Sequence, residues 1–249
     1  MTFHHPITRR NCLALGAGAV AAAVAVPARA AVPVDVVVEL FSSQGCSSCP
    51  PGDRLLTELK SMPGVLALTY HVDYWDYLGW KDTLGSPDFS QRQYDYAKAR
   101  GDMDVYTPQL IVNGSKPVVG SQRSEVFSVL QQSRQSTWPV GLTLSDGGNE
   151  IVVDIAAGEA VGEATLWVMT VLDRVSVKIE KGEIAGREIT YSNVVRHIVP
   201  AGMWGGKADR VSLPKTGLLS PDATACVALL QMNKVGTVLG CAGWGMTTS

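Results

Sequence analysis

The stretch Val34-Asp35-Val36-Val37-Val38-Glu39-Leu40-Phe41 is β-branched and apolar, and it leads through Ser42-Ser43-Gln44-Gly45 into Cys46-Ser47-Ser48-Cys49 and two prolines. Bounded by Pro33 on one side and by the polar tetrapeptide on the other, the run predicts a buried strand. Proline is comfortable in a helix only within its first turn, where the missing N–H has no intrahelical partner. Pro50-Pro51 therefore predicts a helix that starts near Ser48 or Cys49, or one with a distorted first turn. Two cysteines at the junction of a buried strand and a helix N-terminus restrict this chain more than any other feature. Unpaired backbone N–H groups at such an end stabilise a thiolate, which makes Cys46 the expected nucleophile. Cys49, one turn on, is placed to resolve a mixed disulfide by attacking the first sulfur. A plain structural disulfide is the alternative. Half of a zinc site is another, but no second C-x-x-C or H-x-x-x-H follows.

Around this junction the chain alternates strand-like and helix-like segments. Asp53 to Met62 reads as a helix ended by Pro63-Gly64, and Val65 to Val72 as a second strand. Phe89 to Arg100 reads as a helix ended by Gly101. Leu110 to Asn113 and Lys116 to Val119 form a hairpin about Asn113-Gly114, and Ser124 to Gln135 is a last helix. Strand, helix, strand, helix, hairpin, helix is the order of a thioredoxin fold, so residues 33–135 are expected to be an α/β thioredoxin-like domain. A C-x-x-C after the first strand of such a pattern strengthens the redox reading. Past a linker at 136–139 the period changes. Seven short strand-like runs follow, at Gly141–Ser145, Glu150–Ile155, Ala164–Asp173, Glu188–Ile198, Arg210–Leu213, Thr224–Gln231 and Thr237–Trp244. They predict an all-β sandwich-like domain over 136–249.

The N-terminus is set apart from both. Thr8-Arg9-Arg10-Asn11-Cys12-Leu13, an Ala/Gly/Val-rich stretch and Pro27-Ala28-Arg29-Ala30 together read as a cleavable export signal over 1–30, of the twin-arginine type. The expected location is periplasmic or secreted. Loss of Arg9, Arg10 and Arg29, with no acidic residue among them, takes the formal net charge from −2 to −5. An acidic chain without a basic run has no electrostatic footprint for nucleic acid. No apolar run past the signal is long enough to cross a bilayer. Four cysteines remain, and an oxidising compartment allows two disulfides. Spacing favours Cys46 with Cys49 and Cys226 with Cys241. If Asn233-Lys234 turns the chain, the second pair falls directly opposite in a hairpin; a free buried pair is the alternative.

Three long motifs carry a family resemblance. Phe41 to Pro51, His71-Val-Asp-Tyr-Trp-Asp-Tyr-Leu-Gly-Trp-Lys-Asp82 and Tyr106-Thr-Pro-Gln109 resemble the DUF1223 family of exported, thioredoxin-like proteins. Lys181 to Arg187 and Asn193-Val-Val-Arg196 extend the likeness into the second half, with Ile184 standing where Asn is expected. The family has no assigned function. The resemblance implies a reactive dithiol at Cys46 and Cys49 and a cis-proline at Pro108, with the backbone at Thr107 pairing with an extended substrate.

Further candidates surround this core. Glu39 lies where thioredoxin-like enzymes often bury an acid that relays a proton to the resolving cysteine, though it equally faces solvent or pairs with a base. His71, Asp73 and Trp75, with Asp76, Tyr74, Tyr77 and Trp80, follow the second strand. That places their loop at the carboxyl edge of the sheet as a substrate lining. His71 with the two thiolates also suits Cu(I); packing of the loop against the second domain is the simpler reading. His197 and Trp204 look like sandwich positions. No Ser-His-Asp order or phosphate-binding glycine loop stands out, and no cofactor is expected. The leading function is thiol–disulfide exchange with a protein or peptide partner. A copper-binding or delivery module and a non-catalytic binding protein are the alternatives.

Overall fold

The computed structural model describes residues 33–246 apart from 136, 160, 161, 220 and 221, together with Met1. The expected export signal and its arginine pair lie outside the described residues.

Strand β1 (Val36–Ser42) is buried along its whole length. It pairs in parallel with β2 (Val65–His71), in a register that sets Ser42 beside His71. On its other edge it meets β3 (Gln109–Val112) antiparallel, and β4 (Lys116–Val119) completes that side. Helix α1 (Pro50–Lys60) begins with the two prolines in its first turn, with Cys49 as its N-cap. Helix α2 (Pro87–Arg100) is capped by the Ser86 hydroxyl, which accepts from the Asp88 N–H at 3.2 Å. Helix α3 (Arg123–Ser133) closes the first half.

The second half supplies β5 (Leu142–Asp146), β6 (Glu150–Ile155), β7 (Ala164–Lys178), β8 (Glu188–Trp204), β9 (Asp209–Pro214), β10 (Ala225–Met232) and β11 (Val238–Trp244). Four of these join the strands of the first half. One mixed eight-stranded sheet runs β11-β10-β7-β8-β2-β1-β3-β4, and β5-β6-β9 form a separate three-stranded sheet. The junction is a single parallel bridge, Thr69 to Val194. The Thr69 hydroxyl, donating to the Ser192 carbonyl at 2.8 Å, and the Asn193 amide, donating to the Ala67 carbonyl at 2.8 Å, reinforce it.

Alternation of side chains across the sheet divides the interior. On one face Val36, Val38 and Leu40 pack with Leu55, Leu56 and Leu59 of α1 and with Val126 and Leu130 of α3. On the other, Val37 and Phe41 join Tyr70, Phe89 and Tyr96, and continue into Trp167, Met169, Val227 and Leu229 of the second half. The small sheet covers the far face of β7, β10 and β11 through Leu144, Ile151 and Val153 against Leu166, Val168 and Ala228. Burial of each such large side chain stabilises the fold by ~1.5–3 kcal/mol.

Two expectations change here. β7 reaches beyond Asp173, so that Arg174 to Lys178 pair with Glu188 to Ser192 as a two-stranded ribbon. β8 reaches beyond Ile198 to pair through Trp204 with the start of β7, across bulges at Leu166/Trp167 and Thr170/Val171. Cys226 and Cys241 are free, not bonded to each other. The turn spans Asn233 to Gly236 rather than two residues, with the Met232 N–H donating to the Thr237 carbonyl. A register shift between Leu230 and Gln231 adds one more step, so Cys226 faces Trp244 and Cys241 faces Leu229. Cys226 belongs to the core under the small sheet and Cys241 to the core on the other face, so their side chains point apart.

The core also contains a charge. Arg92 of α2 donates through Nε to Glu39 at 2.8 Å and through Nη2 to Gln231 of β10 at 2.7 Å, while the Tyr96 hydroxyl donates to Glu39 at 2.5 Å. Both charged side chains are nearly inaccessible. Truncating one partner of such a pair leaves the other desolvated and unpaired, so Arg92→Leu is expected to cost about 3–5 kcal/mol in urea denaturation. A cost under about 1 kcal/mol would contradict this account of the core.

Candidate dithiol site

Cys46 and Cys49 form a disulfide at the entrance to α1. The loop before it is fixed by local bonds: Cys46 N–H to the Ser43 carbonyl at 3.2 Å, Cys49 N–H to the Cys46 carbonyl at 3.3 Å, and Gln44 N–H to Asp82 at 2.7 Å. Gly52 lies against the Pro108 ring, where an added Cβ would come within 2.9 Å of the Pro108 Cβ. The Thr107–Pro108 bond is cis. Sγ of Cys46 is 3.7 Å from the Thr107 carbonyl oxygen, and the Ser48 hydroxyl donates to the same oxygen at 3.3 Å. Trp75 donates through Nε1 to the Thr107 hydroxyl at 2.8 Å and stacks on Tyr77. Trp75 also presses on Gly45, where a Cβ would meet the Trp75 Cβ at 2.9 Å. The structure therefore brings Cys46, Cys49, Thr107, Pro108 and Trp75 together. Cys46 is 3 % exposed and Cys49 is fully covered, whereas Ser47 and Ser48 between them are exposed.

Three sequence candidates sit elsewhere. Glu39 projects from the sheet face opposite α1, into its bonds with Arg92 and Tyr96, so the sheet itself separates it from the dithiol helix. Strand β1 is buried on both sides, which erased the polar alternation that would have shown its direction. Asp73 accepts from the Ser90 hydroxyl at 2.5 Å and ties its loop to the start of α2. His71 has no exposed surface, lies edge-on to Tyr191, and its Nδ1 is 2.9 Å from Asp82. Among the described residues, no group of three or more His, Cys, Asp or Glu side chains is arranged to hold a metal ion, so His71 is not assembled with the two sulfurs. His197 is exposed, while Trp204 is buried in the core under the small sheet.

A polar cluster that the sequence did not reveal lies under α1. Asp53, one turn beyond Cys49, accepts from the Ser42 hydroxyl at 2.6 Å. Burial pushes its carboxyl up to about 6, against the Ser42 hydrogen bond and the nearby His71 imidazole, which favour ionisation. Burial also disfavours ionisation of Asp82, but His71 and the backbone N–H groups of Gln44 and Leu84 outweigh it and hold that carboxyl below its usual range. Asp53 Oδ2, His71 Nε2 and the Tyr191 hydroxyl are all buried without a hydrogen-bond partner. Positions four apart share a helix face, so the Cys49–Asp53 spacing was the signal available; in the sequence Asp53 served only as a helix start.

The ribbon of β7 and β8 reaches this site. Its tip folds back through the Gly186 N–H, which donates to Ile179 at 2.8 Å, and Glu183 accepts from the Ser47 N–H at 3.3 Å. A cleft of about 570 Å3 separates α1 from the ribbon arms.

The profile of a family described as "Protein of unknown function (DUF1223)" matches residues 37–231. A crystal structure of a protein from Agrobacterium tumefaciens, solved in a structural genomics programme, is 33 % identical with a TM-score of 0.72, over 87 % of this chain and 96 % of that one. HBP35 of Porphyromonas gingivalis has a similar fold, with a TM-score of 0.55 at 14 % identity over 86 % of this chain and 76 % of that one. No functionally curated protein matches the chain.

Two measurements check the chemistry described here. Burial pushes the Cys226 and Cys241 thiols up to about 11 and about 12, so neither ionises near neutrality. Protein lacking residues 1–30 is expected to yield no reactive thiol when native and two when denatured without reductant; none after denaturation would mean that the two are bonded. For Asp53, the folded value lies above the ordinary 3.8. Its contribution to stability is therefore present when the carboxyl is protonated and is lost as the pH rises through about 6. Relative to the parent, Asp53→Asn is expected to gain up to ~3 kcal/mol between pH 4 and pH 7 in denaturant titrations. A difference independent of pH would refute the raised carboxyl.

Proposed function

The chain belongs to the DUF1223 family, and from the dithiol at the start of α1 we propose that it exchanges disulfides with a protein or peptide partner, in the periplasm or outside the cell. The observation that carries this reading is the position of Cys46: at a helix entrance, with its sulfur against the Thr107 carbonyl and exposed serines beside it. An extended segment pairing at Thr107 would replace the Ser48 hydroxyl on that carbonyl, and the helix end favours a thiolate.

The exchange runs in two balanced steps. A partner thiolate attacks Sγ of Cys46, the Cys46–Cys49 bond breaks, and Cys49 leaves as a thiolate that takes up a proton. A second partner thiolate then attacks the partner sulfur of the mixed disulfide and frees Cys46. Two partner thiols become a disulfide while the protein gains two thiols; the reverse sequence reduces a partner disulfide. Asp53, on the same side of α1 as Cys49 and holding its proton until about pH 6, is suited to supply the proton that Cys49 takes.

The fold reading that goes with this function takes residues 33–135 as thioredoxin-like. Its support is the order β2-β1-β3-β4, with β1 and β2 parallel, β3 antiparallel, and helices on both faces. Residues 136–249 are read as sandwich-like, supported by the small sheet packed on β7, β10 and β11. No helix among the described residues is long and apolar enough to cross a membrane.

One observation favours a second reading, in which the disulfide only staples the loop: Cys46 and Cys49 are 3 % and 0 % exposed. Copper delivery has less support, since His71 is committed to Asp82. Equilibration in glutathione and dithiothreitol buffers separates exchange from a staple. Exchange predicts a potential above about −300 mV and a Cys49→Ala variant that accumulates mixed disulfides through Cys46. A potential well below that value, with nothing trapped, would leave the staple.

A further inference from the structure

Resting on the exchange reading, we propose that the cleft between α1 and the β7–β8 ribbon receives an acidic segment of the partner, so that the partner's cysteine reaches Cys46 while its carboxylates engage arginines. The cleft has a volume of about 570 Å3 and begins at Pro50, the residue after Cys49. Arg54 of α1, Arg174 of β7 and Arg187 of the ribbon tip all line it, contributed by three separate stretches of chain. Arg92, Arg100, Arg123, Arg134 and Arg210 are each paired with a carboxylate. Among the described residues none of the three cleft arginines forms an ion pair of this kind, although the Arg54 charge acts on the neighbouring Asp53 carboxyl. Two carboxylates share the lining, Asp53 and Glu188. Asp53 is buried and bonded to Ser42, which leaves three guanidinium groups and Glu188 near the opening.

This is a local reversal of charge on a chain whose net charge is negative. Guanidinium groups present planar forks of donors that match carboxylates in a bidentate way and lose little hydration when they do so. The site is also tied to the dithiol, because Glu183 in the same ribbon tip accepts from the Ser47 N–H. Spacing follows from geometry. Arg54 is five residues along α1 from Cys49, a rise of about 7.5 Å, which about two or three extended residues of a bound segment span. The favoured partner therefore has Asp or Glu two to four residues from its reactive cysteine.

The test uses the reduced protein and three decapeptides, each with one cysteine held as a mixed disulfide with thionitrobenzoate. Glu, Gln or Lys occupies the positions two to four residues from that cysteine. Attack by Cys46 on the peptide sulfur releases thionitrobenzoate, whose absorbance gives the second-order rate. The Glu peptide is expected to react about tenfold faster than the Gln peptide and the Lys peptide more slowly than both, with the spread collapsing in 0.5 M NaCl. In an Arg54→Gln/Arg174→Gln/Arg187→Gln variant the Glu and Gln peptides are expected to react at equal rates. Equal rates in the parent, a faster Lys peptide, or a preference for Glu that survives the triple substitution would each overturn the acidic-segment proposal. A parent that reacts with none of the three would overturn the exchange reading itself.

Discussion

The guanidinium of Arg92 is shared between Glu39 on the central strand of the first half and Gln231 on a strand of the second, with almost no access to water. A charge in that position is tolerated only with its counter-ion in place, and Nε and Nη2 are bonded while Nη1 is left without a hydrogen-bond partner. Helix α2 must therefore lie across the sheet so that Arg92 meets β1, while β10 must present Gln231 to the same spot. Tyr70, Tyr96 and Trp167 set their rings around the guanidinium, at 5.1 to 5.6 Å from its carbon. The apolar layer that includes these rings also runs from β1 and β2 to β7 and β10, so the two halves share one core on that face.

From that shared layer the site follows. With β1 held on both edges and β2 parallel to it, Ser42 and His71 end side by side, and the segments that leave them diverge above the sheet edge. One segment becomes the dithiol loop and α1; the other becomes the aromatic loop of Trp75, which packs on Gly45 and bonds to Thr107. Asp82 joins the two, accepting from the Gln44 N–H while holding His71. The dithiol is thus set by loops that the sheet edge aligns.

Much of this was legible in the chain itself. Pro50-Pro51 put the helix start near Ser48 or Cys49, within two residues of its first residue Pro50, and the segments expected at 65–72, 116–119 and 150–155 match β2, β4 and β6. These are local matters of period and punctuation, which short-range sterics decide. The failures share a cause of another kind. The direction of Glu39 was hidden because a strand buried on both faces has no alternation to read. Cys226 and Cys241 were misjudged because a turn longer than Asn233-Lys234, with one register shift beyond it, moves every later partner. Asp53 was passed over because a buried carboxyl and an N-terminal helix residue look alike until the neighbours are known. The joining of both halves in one sheet rests on a single bridge at Thr69 and Val194, which leaves no mark in either segment.

Long strands explain why a second half is built onto this sheet at all. A two-stranded ribbon is marginal on its own in water, yet the outer arms of β7 and β8, Arg174 to Lys178 with Glu188 to Ser192, continue beyond the strands that anchor them. Their inner ends are locked into the eight-stranded sheet, and a small apolar cluster of Leu84, Leu172, Tyr191 and Val194 seats the ribbon against the loop after β2. Anchored at one end and touching Ser47 at the other, the ribbon is held over α1 without packing on the helix along its full length. The space left between them is the arginine-lined cleft. The second half thus projects one ribbon beside a buried disulfide and sets Arg174 and Arg187 across the cleft from Arg54 of α1.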